Sequence, residues 1–366
     1  MRRWLGVVAV AAVAVSIPGV VSGRPVSVAR VSAASLLATV RGSGHVAYRG
    51  YAQTSGSLGL PSVGWLKDAA NLLGRTSRLR IWWADPGHYR VDLLGPAGER
   101  DTYREGGVRL LWDSEHRRVT TTSADDGPHL PVPPDLTPPE LARRLVAPAS
   151  PAEISVGPPD RVAGRPTHRL DVRLADRRVL AGRISVWVDT ASGLPLRVAV
   201  VPRGATRAVL TSGFLQVSLG PPVDATLRFV APPDADHQIG GLPSITDLAE
   251  RLPPGQLPGR LGDLVREDDM RRYGEWGASA VATYGKGYVL VAVMPVGTVD
   301  ARLLLDRYAS PLHPVRHRPY GDEIALRTPL LSALLFSGPD GGYALAGTVS
   351  ADELDRVAAM LTGAGP

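Results

Sequence analysis

RVAGRPTHRLDVRLADRRVLAGRISVWVDTASGLPLRVAVVPR, residues 161–203, is the stretch on which the fold turns. Leu170 and Val172 alternate with polar neighbours, as do Ile184, Val186 and Val188 with Ser185, Trp187 and Asp189. After Thr190-Ala191-Ser192-Gly193 the chain turns, and Leu196, Val198 and Val200 resume the period of two. Alternation over five to eight residues between Gly-bearing turns predicts consecutive antiparallel strands with one face buried.

The same pattern extends to both sides. Residues 31–41 read as a short helix, with Leu36, Leu37 and Val40 on one side, and His45–Thr54 as a first strand in which Gly50 hosts a bulge. A second helix is expected over 65–73. Strands follow over 77–84, 88–94, 100–104, 108–112 and 117–122, the first two joined by Asp85-Pro86-Gly87. Trp82 and Trp83 are adjacent, so in a strand they point to opposite faces. Thr137 and two prolines introduce a helix over 140–145, and strands are expected over 210–219 and 225–230. About ten strands and three short helices make an α+β unit: a large, mostly antiparallel sheet with helices on one face.

A boundary falls at Ala231-Pro232-Pro233, and the Pro- and Gly-rich residues 233–262 read as a linker. A smaller α+β unit over 263–366 is expected to hold strands over 278–284, 288–294, 323–327, 332–337 and 342–349, with a helix over 300–308. Its last helix, 354–361, has the capping-box spacing Ser350 to Glu353. Gly285-Lys286-Gly287 reads as a hairpin turn, because the rest of a dinucleotide fingerprint is missing.

The chain of 366 residues carries a formal charge of +6 and no cysteine. Zinc-thiolate sites and thiol nucleophiles are thereby excluded. Lys67 and Lys286 are the only lysines, and no basic stripe with interleaved aromatics occurs, which argues against nucleic acid. The charge divides by half: residues 1–232 hold 29 Arg and Lys against 18 Asp and Glu, whereas residues 233–366 hold 12 against 17. Opposite signs suit two units that face each other, or one half meeting an anionic surface. Arg2 and Arg3, an apolar run from Trp4 to Val15, a break at Ser16-Ile17-Pro18-Gly19 and small residues at Ser22-Gly23 read as a secretory signal or an N-terminal membrane anchor, assigned to residues 1–27. Either form places the remainder outside the cytoplasm.

Catalytic patterns are wanting. There is no G-x-S-x-G and no Walker loop. His313 and His317 have a metal-like spacing, but Pro311, Pro314 and Pro319 forbid the helix that would align them. Asp171, Asp189 and His168 lack partners in sequence, and the acidic runs Asp125-Asp126 and Glu267-Asp268-Asp269 read as solvated or contact patches. A sheet under helices also suits an apolar trough, since each buried methylene is worth about 0.8 kcal/mol. Trp82, Trp83, Tyr89 and Trp112 are the candidate lining residues. The same residues equally suit a core in which they pack on one another.

IWWADPGHYRVDLLGPAGERDTYREGGVRLLWDSEHRRVT (81–120), RVAGRPTHRLDVRL (161–174) and RISVWVDTASGLPLRVAVVPRG (183–204) resemble the strands of the LolA-like lipoprotein-carrier superfamily in exported actinobacterial proteins, where AGRPAYRL and VWVDxxTGLPLRV patterns recur. YGKGYVLVAVMPVG (284–297) and GGYALAGTVSADELDRVAAML (341–361) resemble the C-terminal domain of the RseB/MucB family. That resemblance implies an unclosed β-barrel with covering helices over 28–232, joined to the small α+β domain. It further implies a non-enzymatic regulator without cofactor that binds an anti-sigma factor's extracytoplasmic segment, shields it from proteolysis, and senses lipid or lipoprotein acyl chains. A lipid or lipoprotein carrier, or an envelope scaffold, is the alternative from another class. The Pro-rich loops at 123–139 and 252–259 depart from the family pattern.

Overall fold

The computed structural model describes residues 28–61, 66–96, 98–123, 129–240, 257–267, 281–339 and 341–363. The N-terminal signal or anchor, Trp65 at the head of the second helix, Asp125-Asp126, Asp268-Asp269 and the start of the strand expected at 278 lie outside them.

Two sheets organise the chain. The larger has twelve strands: β1 (Tyr48–Gly56), β2 (Thr76–Asp85), β3 (His88–Leu94), β4 (Glu99–Glu105), β5 (Val108–Asp113), β6 (Arg118–Ser123), β7 (Ile154–Val162), β8 (Arg165–Arg173), β9 (Ala181–Asp189), β10 (Pro195–Pro202), β11 (Leu210–Leu219) and β12 (Asp236–Ile239). Their order is β12-β6-β5-β4-β3-β2-β1-β11-β10-β9-β8-β7. Every pairing is antiparallel except β12 with β6, and the edge strands β12 and β7 do not pair, so the sheet is an unclosed barrel.

Local chemistry explains the corners. Asp85 Oδ1 accepts the Gly87 N–H at 2.7 Å and closes the β2–β3 turn. In the β9–β10 hairpin the Asp189 carboxylate accepts the Ser192 N–H, while Gly193 adopts φ 72°, a conformation that costs a residue with a Cβ. Ser32 caps α1 (Ala33–Gly42) by accepting the Ser35 N–H, and Leu36, Leu37 and Val40 are buried beneath it. α2 (Lys67–Gly74) packs beside β1, and α3 (Pro138–Val146) lies across β9, β10 and β11 with α1 against it. Arg41 ties the two together by donating to the Ala147 and Ala149 carbonyls, both at 2.8 Å, where α3 ends.

The smaller unit is an eight-stranded antiparallel sheet built from β13 (Arg260–Leu261), β14 (Leu264–Glu267), β15 (Ala282–Lys286), β16 (Val289–Val296), β17 (Arg316–Arg318), β18 (Gly321–Arg327), β19 (Ser332–Gly338) and β20 (Gly341–Gly347). α4 (Thr298–Tyr308) and α5 (Ala351–Thr362) pack on its central strands. No helix among the described residues is long and apolar enough to cross a membrane.

Several local expectations need correction. No strand spans 225–230. Asp224–Leu227 forms one helical turn, and the extended run after it crosses the outer face of β3–β5, where Phe229 packs on Tyr103 and Trp112. β7 and β12 escape the alternation rule, because Gly157-Pro158-Pro159 interrupts the first and all four residues of the second are exposed. Pairing thus begins within the stretch 233–262: Asp236–Ile239 joins the large sheet and Arg260–Leu261 the small one. The bulge expected at Gly50 lies instead between Tyr51 and Ala52, where β11 carries the extra residue Leu215. Gly50 serves close packing, since a Cβ there would meet the Phe214 ring at 2.7 Å. The Ser350–Glu353 capping box does not form. Ser350 offers only its backbone carbonyl, and the Glu353 carboxylate turns to Arg178 and Arg356.

Candidate functional site

Alternation along β2 assigns its two tryptophans to opposite environments. Trp83 is 2% exposed and faces the helices. Its ring stacks on Tyr89 at 4.6 Å and on Tyr48 at 6.1 Å, and Nε1–H donates to the Gly44 carbonyl at 2.9 Å. The Phe214 ring meets Tyr48 edge-on, and the Arg143 guanidinium of α3 lies 5.6 Å from the Trp83 ring. Burial pushes the Tyr48 phenol far above its ordinary pKa. Two buried polar atoms in this cluster, Tyr48 OH and Arg143 Nη1, have no hydrogen-bond partner.

Trp82 occupies the outer face with the Arg90 and Arg80 guanidinium groups 5.0 and 5.8 Å from its ring. Trp112 shares that face and packs on Phe229 at 5.8 Å. The candidate lining residues therefore divide in pairs: Trp83 and Tyr89 stand together under the helices, Trp82 and Trp112 on the reverse. The outer face of the other half repeats the motif, with Trp187 between its cross-strand neighbours Arg197 at 4.5 Å and Arg169 at 5.9 Å.

The second place where distant sequence meets is the joint between the units. The β8–β9 connection, inside the stretch that predicts the large sheet, reaches out to the small one. Val179 bridges Val349, the Leu180 N–H donates to the Thr348 carbonyl at 2.9 Å, and the Ser350 N–H donates to the Arg178 carbonyl at 2.8 Å. The Arg178 guanidinium pairs with Asp176 and, across the joint, with Asp263 at 2.8 Å and Glu353 at 3.5 Å. Arg203 braces the loop by donating to the carbonyls of Val179, Leu174 and Asp176. From the other side the Tyr288 hydroxyl donates to the Leu145 carbonyl at 2.8 Å near the end of α3. Sequence patterning missed this joint because one arginine among many gives no signal. The opposite charges of the two halves were the only hint.

Three histidines sit in local pairs: His88 with Asp85, His116 with Asp113 and His317 with Asp322. His313 bonds to Ser310 in a turn, so the 313/317 pair shares no helix face. Among the described residues one carboxylate group has metal-like proximity, Asp92, Glu99 and Asp101 on β3 and β4. Arg90 pairs with both of its aspartates.

No family model and no curated protein matches the sequence. Among solved structures, the chain is similar to the MucA/MucB complex of Pseudomonas aeruginosa, with 18% identity and a TM-score of 0.48 over 89% of this chain and 96% of the other. A LolA superfamily protein from Nitrosomonas europaea aligns at 11% identity and a TM-score of 0.26, over 55% of this chain and 99% of the other. An uncharacterized conserved protein from Thermus thermophilus aligns at 11% identity and a TM-score of 0.35, over 57% of this chain and 99% of its own.

Proposed function

We propose that this chain is an exported, non-enzymatic regulator that binds the extracytoplasmic segment of an anti-sigma factor. The observation that carries the proposal is the joint: an unclosed barrel fixed by Arg178, Val179 and Leu180 to an α+β unit whose sequence resembles the RseB/MucB C-terminal domain. A simple carrier has no use for that second unit. MucB itself has been solved in complex with MucA. The finer part of the proposal is that the helix-covered face around Trp83 and Tyr89 reads an acyl ligand, which α1 and α3 would have to part to admit. Affinity capture from cell envelope with the mature protein is the test. Recovery of a membrane-spanning anti-sigma protein is expected, and its absence overturns the proposal.

One observation favours a carrier as the second reading. The aromatic cluster under the helices holds two buried polar atoms without partners, Tyr48 OH and Arg143 Nη1, as a site for a polar lipid head would. Native mass spectrometry showing a stoichiometric lipid in a protein that captures no envelope partner would replace the first reading with this one.

A further inference from the structure

The buried carboxylates on the outer face are not accounted for by partner binding. Asp92 and Asp101 are cross-strand partners on β3 and β4, and they are 0% and 6% exposed. Oxygens of Asp92, Glu99 and Asp101 lie within 4.8 Å of one another. One guanidinium serves both aspartates: Arg90 Nε donates to Asp92 Oδ1 at 2.6 Å, and Nη2 donates to Asp101 Oδ2 at 3.1 Å. Arg80 is turned to Glu99, a half-exposed pair at the rim. Asp101 Oδ1 is buried and accepts no hydrogen bond. Ionised carboxylates only accept, so two of them brought this close in a dry site favour holding a proton between them. A divalent cation would also neutralise them; Arg90 already supplies one positive charge to both aspartates.

Residues 221–240 cover this pair as a strap. The turn Asp224–Leu227 lies against β3 and β4. Phe229 packs on Tyr103 at 5.1 Å and on Trp112, the cross-strand partner of Asp101, at 5.8 Å. Its N–H donates to Glu105 at 3.2 Å, and β12 completes the strap by pairing with β6. Pro222 and Leu227 are buried, Arg117 and Arg118 pair with Asp234 and Asp236, and the Asp236 and Gly240 N–H groups donate to the Arg117 and Thr121 carbonyls, while Val223, Val230 and Ile239 stand 66%, 85% and 96% exposed.

We propose that Asp92 and Asp101 share one proton at neutral pH, and that losing it loosens the strap, which makes residues 221–240 a pH-sensitive flap on the outer face. The groups that face the pair are Arg80 from β2, Arg90 from β3, and Glu99 and Tyr103 from β4. Glu105, Asp224 and Arg228 are exposed around the strap, as are Asp234, Asp236 and His237 on it and their neighbours Arg117 and Arg118. Burial first, and the neighbouring Asp92 charge second, push Asp101 up to about 7. A carboxyl raised in the folded state binds a proton that the unfolded chain has already released. Stability therefore falls as pH rises from about 4, the unfolded value, to about 7, and is level above that. With the proton gone, the second charge is relieved by admitting water beneath Phe229.

The full chain with carbon-13-labelled aspartate carboxyls tests the first half. One resonance is expected to titrate near pH 7 and to vanish in Asp101→Asn, and all aspartates titrating below about pH 5 would overturn the proposal. Hydrogen exchange tests the second half. After correction for intrinsic rates, amides of Asp236–Ile239 are expected to lose roughly tenfold protection between about pH 6 and about pH 8. Equal protection at both values overturns the flap, and so does protection restored at pH 8 by calcium alone. Should Asp101→Asn not fold, Phe229→Ala is expected to keep the carboxyl titration while removing the pH dependence of protection, and a pH dependence left intact would again overturn the flap.

Discussion

Trp83 and Trp82 are joined by one peptide bond and live in opposite chemistries. Trp83 is held by stacking on Tyr89 of the next strand and, from residues distant in sequence, by the Tyr48 ring, a backbone carbonyl and a helix laid over it. Trp82 is held by two arginines of its own and the next strand, at the border of solvent. The contrast recurs in other rungs of the sheet, beside an aromatic cluster of Tyr103, Trp112 and Phe229 on the outer face. On the inner face the residues choose their neighbours by shape. On the outer face they choose by charge, in Arg–Trp–Arg rungs and Arg–Asp pairs.

The strongest way to break this comparison is Trp83→Ala. Its cavity and orphaned Gly44 carbonyl are expected to cost about 4 kcal/mol in urea denaturation, and a loss under about 1 kcal/mol would show that the helices collapse into the gap. Asp189 on the outer face is the next lever. Burial alone would raise its pKa, yet the hydrogen bonds from Arg165 and Ser192 hold it below the ordinary carboxylate value. A lowered carboxyl contributes stability above the unfolded pKa and loses it as pH falls through the folded one. Asp189→Asn is therefore expected to cost about 2 kcal/mol at neutral pH, with mutant and parent melting curves converging below about pH 3. Asp101, on the same face, has the opposite slope, so the two substitutions sharpen what charge does there.

Arg178→Ala probes the joint. Arg178 is partly exposed and Asp263 largely so, which limits the expected cost to about 1.5 kcal/mol. The clearer readout is calorimetric: the two units are expected to unfold in less coincident transitions than in the parent. The smallest effect is Trp82→Ala, about 1 kcal/mol from lost cation–π and packing contact. It is also expected to leave the fluorescence response to an acyl ligand intact, whereas Trp83→Phe abolishes it if the ligand enters under the helices.

Strand identity and facing were legible from particular residues. Ile184, Val186 and Val188 against Ser185 and Trp187 specify β9, Asp85-Pro86-Gly87 specifies a turn, and Leu36, Leu37 and Val40 mark the buried side of α1. Where the reading failed, a long-range contact outweighed a local preference. Val230 and its neighbours have strand propensity, but Phe229 is drawn onto Tyr103 and Trp112 across the face of the sheet. Glu353 has cap spacing, yet Arg178 and Arg356 claim its carboxylate. Of the four candidate lining residues, alternation alone separates Trp82 from Trp83, whereas the register that sets Trp112 opposite Asp101 required the paired strands.

Residues 161–203 by themselves determined three antiparallel strands with one buried face, because side-chain alternation is a property of the chain at a range of two residues. Only the tertiary structure decided that the loop between the first two of these strands clasps the small unit, that Asp92 meets Asp101 across a register, and that a strap covers them. Those outcomes depend on which surfaces remain to be buried after the sheet has formed. A linear pattern carries no record of that.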